Sequence, residues 1–214
     1  MPSAILSDPN PVLSLATGHA PDPREQILGL ARAAFVDKGF DGASMQDLAR
    51  AAGMSAGNFY RYFPSKSAIV EAFVAHEMMA IDAHFAAIKA APDPRVAIHT
   101  TLIERISSGC EPGNSLWAEI MAAAHRRPEI AQAVLRLEAV VQGHIVSLFA
   151  LLKGIPADEA NRRYATHARL VLILVRGAEM ELAMNPVPQT ALTEMVYSTI
   201  TRVMDEVLTD PMET

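Results

Sequence analysis

The chain has 214 residues, half of them apolar, and a formal net charge of −6. That length is long for one domain and short for two full ones, and the apolar share can bury a sizeable core. A single cysteine, Cys110, excludes an internal disulfide framework and a cysteine-based zinc site, and the overall acidity does not advertise a nucleic-acid binder.

The charge is uneven. Residues 21–70 hold six Lys/Arg against five Asp/Glu, whereas residues 71–214 hold twelve against eighteen. The N-terminal stretch "MPSAILSDPNPVLSLATGHA" has neither a basic start nor a long apolar run. Residues 1–21 read as a flexible arm rather than a signal peptide. No window of ~18 uncharged apolar residues stands out, so no membrane-spanning helix is expected. A reduced, cytoplasmic setting fits these features.

No segment alternates like a strand, and Ala, Leu, Met, Glu and Arg are good helix formers. An all-α chain of about nine helices is predicted. The first pattern begins at Asp22, with Ile27, Leu28, Ala31, Ala34 and Phe35 on one stripe, and Gly39 suits its C-terminal cap. Ser44 caps a short second helix, with Asp47 completing a capping box, and Gly53 ends it. Ser55 caps a third, "PSK" stops it, and a long fourth helix runs to about residue 90. Proline and glycine segment the remainder. The fifth helix covers about 95–108, and "GCEPGN" is a loop. "SLWAEIMAAAH" is the sixth helix. The seventh spans about 129–153, the eighth ends at 184, and the ninth spans about 191–209.

The second and third helices, joined by "AAGMSAG", form a helix-turn-helix signature. Here Phe59, Tyr60, Tyr62 and Phe63 gather four of the chain's twelve aromatic residues within five positions. On a helical wheel Phe59 and Phe63 share one side, about 40° apart, and should pack on Leu48, Phe35 and Ile27. Gly57, Tyr60 and Arg61 point the other way, with Ala56 beside them. This face suits a DNA major groove. A small residue lets the backbone approach, the helix N-terminus favours anions, and Arg61 and Lys66 can neutralise phosphates. Arg61 could also read guanine directly.

"SMQDLARAAGMSAGNFYRYFPSKSAIVEAF" closely resembles the N-terminal domain of TetR/AcrR-family transcriptional regulators. Ser44, Leu48, Ala49, Ala52, Gly53, Met54, Ser55, Gly57, Tyr60, Tyr62, Phe63 and Lys66 match that family's pattern at its spacing. The resemblance covers about residues 24–73 and implies a three-helix DNA-binding domain over 22–68. Joined to it by the long fourth helix would be a ligand-binding and dimerisation domain over 69–210. Carried over residue by residue, the DNA contacts would be Ser44 and Gln46, then Ser55, Ala56, Gly57, Tyr60, Arg61 and Tyr62. Asn58 is a further candidate on the same helix, and Lys66 would hold a phosphate. Position 56 departs from the family, where Lys, Arg or Gln is common. Ala56 offers only apolar contact, such as to a thymine methyl.

In the C-terminal part, residues 170–175 are apolar on every side of a helix and must be covered all round. Leu192, Val196, Ile200, Val203 and Val207 form a stripe on the ninth helix. With Leu170 and Leu174 they are candidates for an isologous homodimer interface, the other reading being that they fill the protomer's core. Met78, Met79, Phe85, Trp117, Met121 and His125 are candidates for lining a small-molecule effector pocket, or for ordinary core. The histidines show no tight metal-ligand spacing, and no Walker loop, nucleophile elbow or Cys/His nucleophile pattern is found, so no metal, cofactor or catalytic residue is expected. The resemblance implies a ligand-responsive repressor that binds a pseudo-palindromic operator as a homodimer. The competing reading is a helical enzyme or small-molecule binder whose helix-turn-helix no longer binds DNA. The weak local charge and Ala56 motivate it.

Overall fold

The computed structural model describes residues 23–107, 112–184 and 190–211. The expected N-terminal arm and Cys110 lie outside them. Among the described residues there are nine α-helices and no strand. They are α1 (Pro23–Gly42), α2 (Met45–Ala51), α3 (Ala56–Tyr62), α4 (Lys66–Ala90), α5 (Pro94–Ser107), α6 (Pro112–Ala124), α7 (Pro128–Lys153), α8 (Ala157–Met184) and α9 (Thr190–Thr209).

Local chemistry accounts for most of the boundaries. Ser44 Oγ accepts the Asp47 N–H at 3.1 Å, and Asp47 Oδ2 accepts the Ser44 N–H at 3.0 Å, which makes the expected capping box of α2. Ser55 and Ser65 cap α3 and α4 in the same way, accepting from Asn58 and Ala68. Gly53 turns the chain between α2 and α3 with φ +67°, a conformation that other L-residues adopt at a cost. Two boundaries differ from expectation. α6 begins at Pro112 rather than at Ser115, since proline is tolerated in a first helical turn. α1 breaks at Gly39, as expected, but a further turn follows to Gly42.

Two hydrophobic cores divide the molecule. The first joins Ile27, Phe35, Leu48, Phe59, Phe63, Ile69 and Val70 to Leu116 and Ile120 of α6 and to Ile130 and Val134 of α7. The second gathers Ile88, Leu102, Phe149, Tyr164, Val171, Ile200, Val203 and Val207 from α4, α5, α7, α8 and α9. α4 and α7 contribute to both, so they tie the N-terminal helices to the rest. Among the described residues α7 alone is long and apolar enough, by length and composition, to cross a membrane, although Arg136 and Glu138 interrupt its apolar run. In the fold it packs on α4, α6 and α8 and carries the buried Glu138.

The candidate interface residues fare unevenly. Ile200, Val203 and Val207 are buried in the second core of their own protomer. The α9 stripe is thus largely satisfied by α5, α7 and α8, and these three residues have little surface to offer a second chain. Leu174 and Val196 are partly buried against the same core. Uncovered apolar surface lies one face over. Leu170 is 42 % exposed, Ile173 55 % and Met195 65 %, with Met180 and Leu192 also exposed. The all-apolar run of α8 is therefore covered on one side only.

Candidate nucleic-acid interface

α2 and α3 are short helices held against α1 and α4 by their buried faces. Leu48, Phe59 and Phe63 are fully buried together with Phe35 and Ile27, as the wheel predicts. Phe59 and Phe63 lie 5.7 Å apart, centroid to centroid, in a tilted arrangement. Anchoring these two rings turns the opposite side of α3 outward. Gly57, Asn58, Tyr60 and Arg61 are exposed, Tyr60 at 47 %, and Ala56 is half-buried beside them. Nothing within 4 Å would meet a Cβ at Gly57, so open space lies over that part of the helix. Tyr62 is half-buried and packs partly against the core.

The remaining candidates sit at the helix starts. Gln46 is exposed on the first turn of α2. The Ser44 hydroxyl is committed locally, because it also donates to Asp47 Oδ2 at 2.5 Å. Asp47 in turn accepts from Lys38 Nζ at 2.6 Å. These partners, Lys38 first and then Ser44, hold the Asp47 carboxyl far below the usual carboxylate range. The Ser55 hydroxyl, by contrast, accepts from Asn58 and keeps its own proton to donate.

Lys66 has a role that the sequence does not announce. Its ammonium donates to the carbonyl oxygens of Phe40 at 2.7 Å and of Asp41 at 3.2 Å, and lies 4.9 Å from the Phe40 ring centroid. Burial pushes its pKa below the ordinary lysine value. Lys66 thus closes the end of α1, and a third N–H remains for an outside acceptor.

That same end of α1 is held from the other side. Phe40 N–H donates to Glu119 Oε2 of α6 at 2.9 Å. Gly39 makes the approach possible, since with φ +71° a Cβ there would meet the Glu119 carboxylate at 3.0 Å. Asp41 accepts from Arg126 at 2.5 Å and Arg127 at 2.9 Å, both in the turn between α6 and α7, and Arg127 also covers the Phe40 ring. These two arginines, Arg127 first, hold the Asp41 carboxyl below its ordinary value. The end of α1, which leads into the helix-turn-helix, is therefore clamped to α6 and the α6–α7 turn through Phe40 and Asp41, with Gly39 leaving room for Glu119.

The candidate pocket residues are not drawn together. Met78, Trp117 and Met121 pack against the first core and Phe85 against the second, where it stacks on His144 at 4.7 Å. Met79 is 59 % exposed and His125 is exposed. A shallow, open groove of about 230 Å³ lies along the exposed face of α8, beside Arg169, Leu172, Ile173, Arg176, Gly177 and Met180. Sequence reading missed it because its polar residues, two arginines, look like ordinary surface charge on a helix. No cluster of potential metal ligands occurs among the described residues.

Comparison with known proteins agrees with this geometry. The family model described as "Bacterial regulatory proteins, tetR family" matches residues 27–73, which span most of α1, then α2, α3 and the start of α4. The HTH-type transcriptional regulator UidR of Escherichia coli K12 is 28% identical over 161 residues, covering 72% of this chain and 78% of UidR. Salmonella enterica GusR is 25% identical, with a TM-score of 0.67 over 88% of this chain and 98% of its own. A transcriptional regulator from Rhodococcus sp. Rha1 shares the fold at 20% identity, with a TM-score of 0.68 over 88% of this chain and 99% of its own. The matched helix-turn-helix, the regulator relatives and the shared all-α fold point the same way: residues 27–73 match the tetR family of bacterial regulatory proteins, and the chain as a whole is similar in sequence and fold to TetR-family transcriptional regulators.

Proposed function

We propose that the protein is a ligand-responsive repressor that binds a pseudo-palindromic operator as a homodimer in the cytoplasm. Residues 22–68 form its DNA-reading part, and 69–210 its sensing and dimerising part. The observation that carries this reading is the two-sided character of α3: Phe59 and Phe63 are fully buried, while Gly57, Tyr60 and Arg61 stand outward with open space above Gly57. A helix so anchored presents its outer face as one rigid unit to a groove. Tyr60, Arg61 and Ser55 donate to phosphates or base edges, Asn58 and Gln46 offer amides, and Ala56 gives apolar contact. Ser44 acts mainly by fixing α2, and Tyr62 and the third N–H of Lys66 reach the backbone.

Dimerisation is assigned to the uncovered apolar face of α8 and α9 around Leu170, Ile173, Met180, Leu192 and Met195. This surface replaces Ile200, Val203 and Val207, which serve the protomer's core. A second copy of the chain is the occupant, because an isologous contact buries the same patch on both sides and sets two α3 helices to address two half-sites. The test is selection of operators from a random DNA pool, followed by mobility shift at moderate salt. The reading predicts a two-fold symmetric consensus bound by a dimer. Recovery of no preferred sequence would overturn it and favour a helical protein that has lost DNA binding.

A further inference from the structure

Residues 21–70 carry six Lys/Arg against five Asp/Glu, a thin positive balance for a surface that meets a polyanion. One of the six, Lys38, is spent on Asp47 at 2.6 Å. The fold brings in two more cations from the acidic remainder of the chain. Arg126 and Arg127, in the turn between α6 and α7, donate to Asp41 at the end of α1 at 2.5 and 2.9 Å. Arg127 Cζ lies 5.3 Å from the Phe40 ring centroid and Lys66 Nζ 4.9 Å from the same centroid, so both charges flank one ring. Ser67 Oγ donates to Glu129 Oε1 at 3.3 Å, which sets the first turns of α4 and α7 side by side.

We propose that this rim is a second contact with the DNA backbone, in which Arg126 and Arg127, together with Lys66, receive a phosphate flanking the half-site read by α3. α3 ends at Tyr62 and α4 begins at Lys66, so the rim adjoins the outward helix. Each guanidinium carries a planar fork of N–H donors, more than one shared carboxylate can take, and that geometry suits a phosphate. Arg126 and Asp41 are exposed and Arg127 is half-buried. Glu119 and Glu129 also border the rim, accepting from the Phe40 N–H and the Ser67 hydroxyl. The contact is therefore one of directed donors rather than of bulk charge. It deepens the DNA-binding reading above and rests on it. It adds affinity and register without reading sequence, because phosphate contacts position and base contacts specify.

The two arginines follow α6, outside the helix-turn-helix. A phosphate held by them ties the duplex directly to the α6–α7 turn, and not only to α2 and α3. Asp41 then competes with the phosphate, because it occupies the same two guanidiniums.

The test uses the full chain, the selected operator and a random-sequence duplex of equal length, with affinity measured across a salt series. Arg126→Gln should weaken binding to both duplexes about threefold or more, and lower the slope of log affinity against log salt by about 0.9, the worth of one phosphate. Arg126→Lys keeps the charge and should keep the wild-type slope. Asp41→Asn should tighten both duplexes, even though it loosens the turn. Thermal unfolding of each variant reports the fold separately. Ethylation of single operator phosphates should find one whose modification hinders the wild type but not Arg126→Gln. Unchanged affinity and slope in Arg126→Gln would overturn the inference. So would weaker binding in Asp41→Asn, the mark of a purely structural clamp. Either result with an operator still bound by the wild type leaves the DNA-binding reading standing, whereas a wild type that binds neither duplex overturns both.

Discussion

At the scale of single residues, adjacent positions on α3 do opposite work. Phe59 is fully buried and Tyr60 is half-exposed, although they are neighbours of similar size. Phe59→Ala should therefore cost about 3–5 kcal/mol of stability, whereas Tyr60→Ala should change stability by no more than about 0.5 kcal/mol. Thermal unfolding and operator titration on the same two variants separate the roles. Tyr60→Ala should melt like the wild type and bind its operator more weakly, and a large loss of stability instead would place Tyr60 in the core. Lys66 shows where residue-level reading stops short. The family pattern points it at a phosphate, yet in the fold its ammonium is held on the carbonyls of Phe40 and Asp41. Lys66→Ala should therefore lower both stability, by about 1 kcal/mol or more, and operator affinity, with a shallower salt dependence. A loss of affinity with unchanged stability would mean that the two carbonyl contacts contribute nothing.

At the scale of elements, the notable unit is the turn at the end of α1. Gly39 lets the chain pass Glu119, Phe40 donates to that carboxylate, and Asp41 engages Arg126 and Arg127. The helix and its glycine break were legible in sequence, but the further turn to Gly42 was not. The clamp was not, because its partners are 79 to 86 residues away and nothing in local pattern pairs them. Acid should loosen it in a defined sense. The Asp41 carboxyl lies below its ordinary value of 3.8, so its ion pairs are fully present above that value and are lost as pH falls through the lower, folded-state value. Amide exchange across residues 39–42 should be faster in Asp41→Asn than in wild type near neutral pH. The difference should shrink as pH falls below about 4 and the wild-type carboxyl protonates. A difference that persists undiminished at low pH would show that the charge of Asp41 is not what holds the turn.

At the scale of the whole molecule, helix number and type were readable from proline, glycine and capping signals, and so was the helix-turn-helix. Helix faces were harder. The apolar stripe of α9 reads equally well as interface or core, and only the placement of α5, α7 and α8 decides that Val203 and Val207 belong inside. The exposed apolar face is formed jointly by α8 and α9, and no single helical wheel displays it. Val203→Glu is thus expected to unfold the protomer, while Ile173→Glu should leave it folded and shift sedimentation from dimer to monomer. A dimer that persists in Ile173→Glu would move the interface off α8. The central claim is that two copies of the chain place two α3 helices on one DNA duplex. Hydroxyl-radical footprinting of the selected operator tests it most directly. The account predicts two protected half-sites centred about one helical turn apart, both lost together in Tyr60→Ala. A single protected patch, or protection that Tyr60→Ala leaves unchanged, would contradict it.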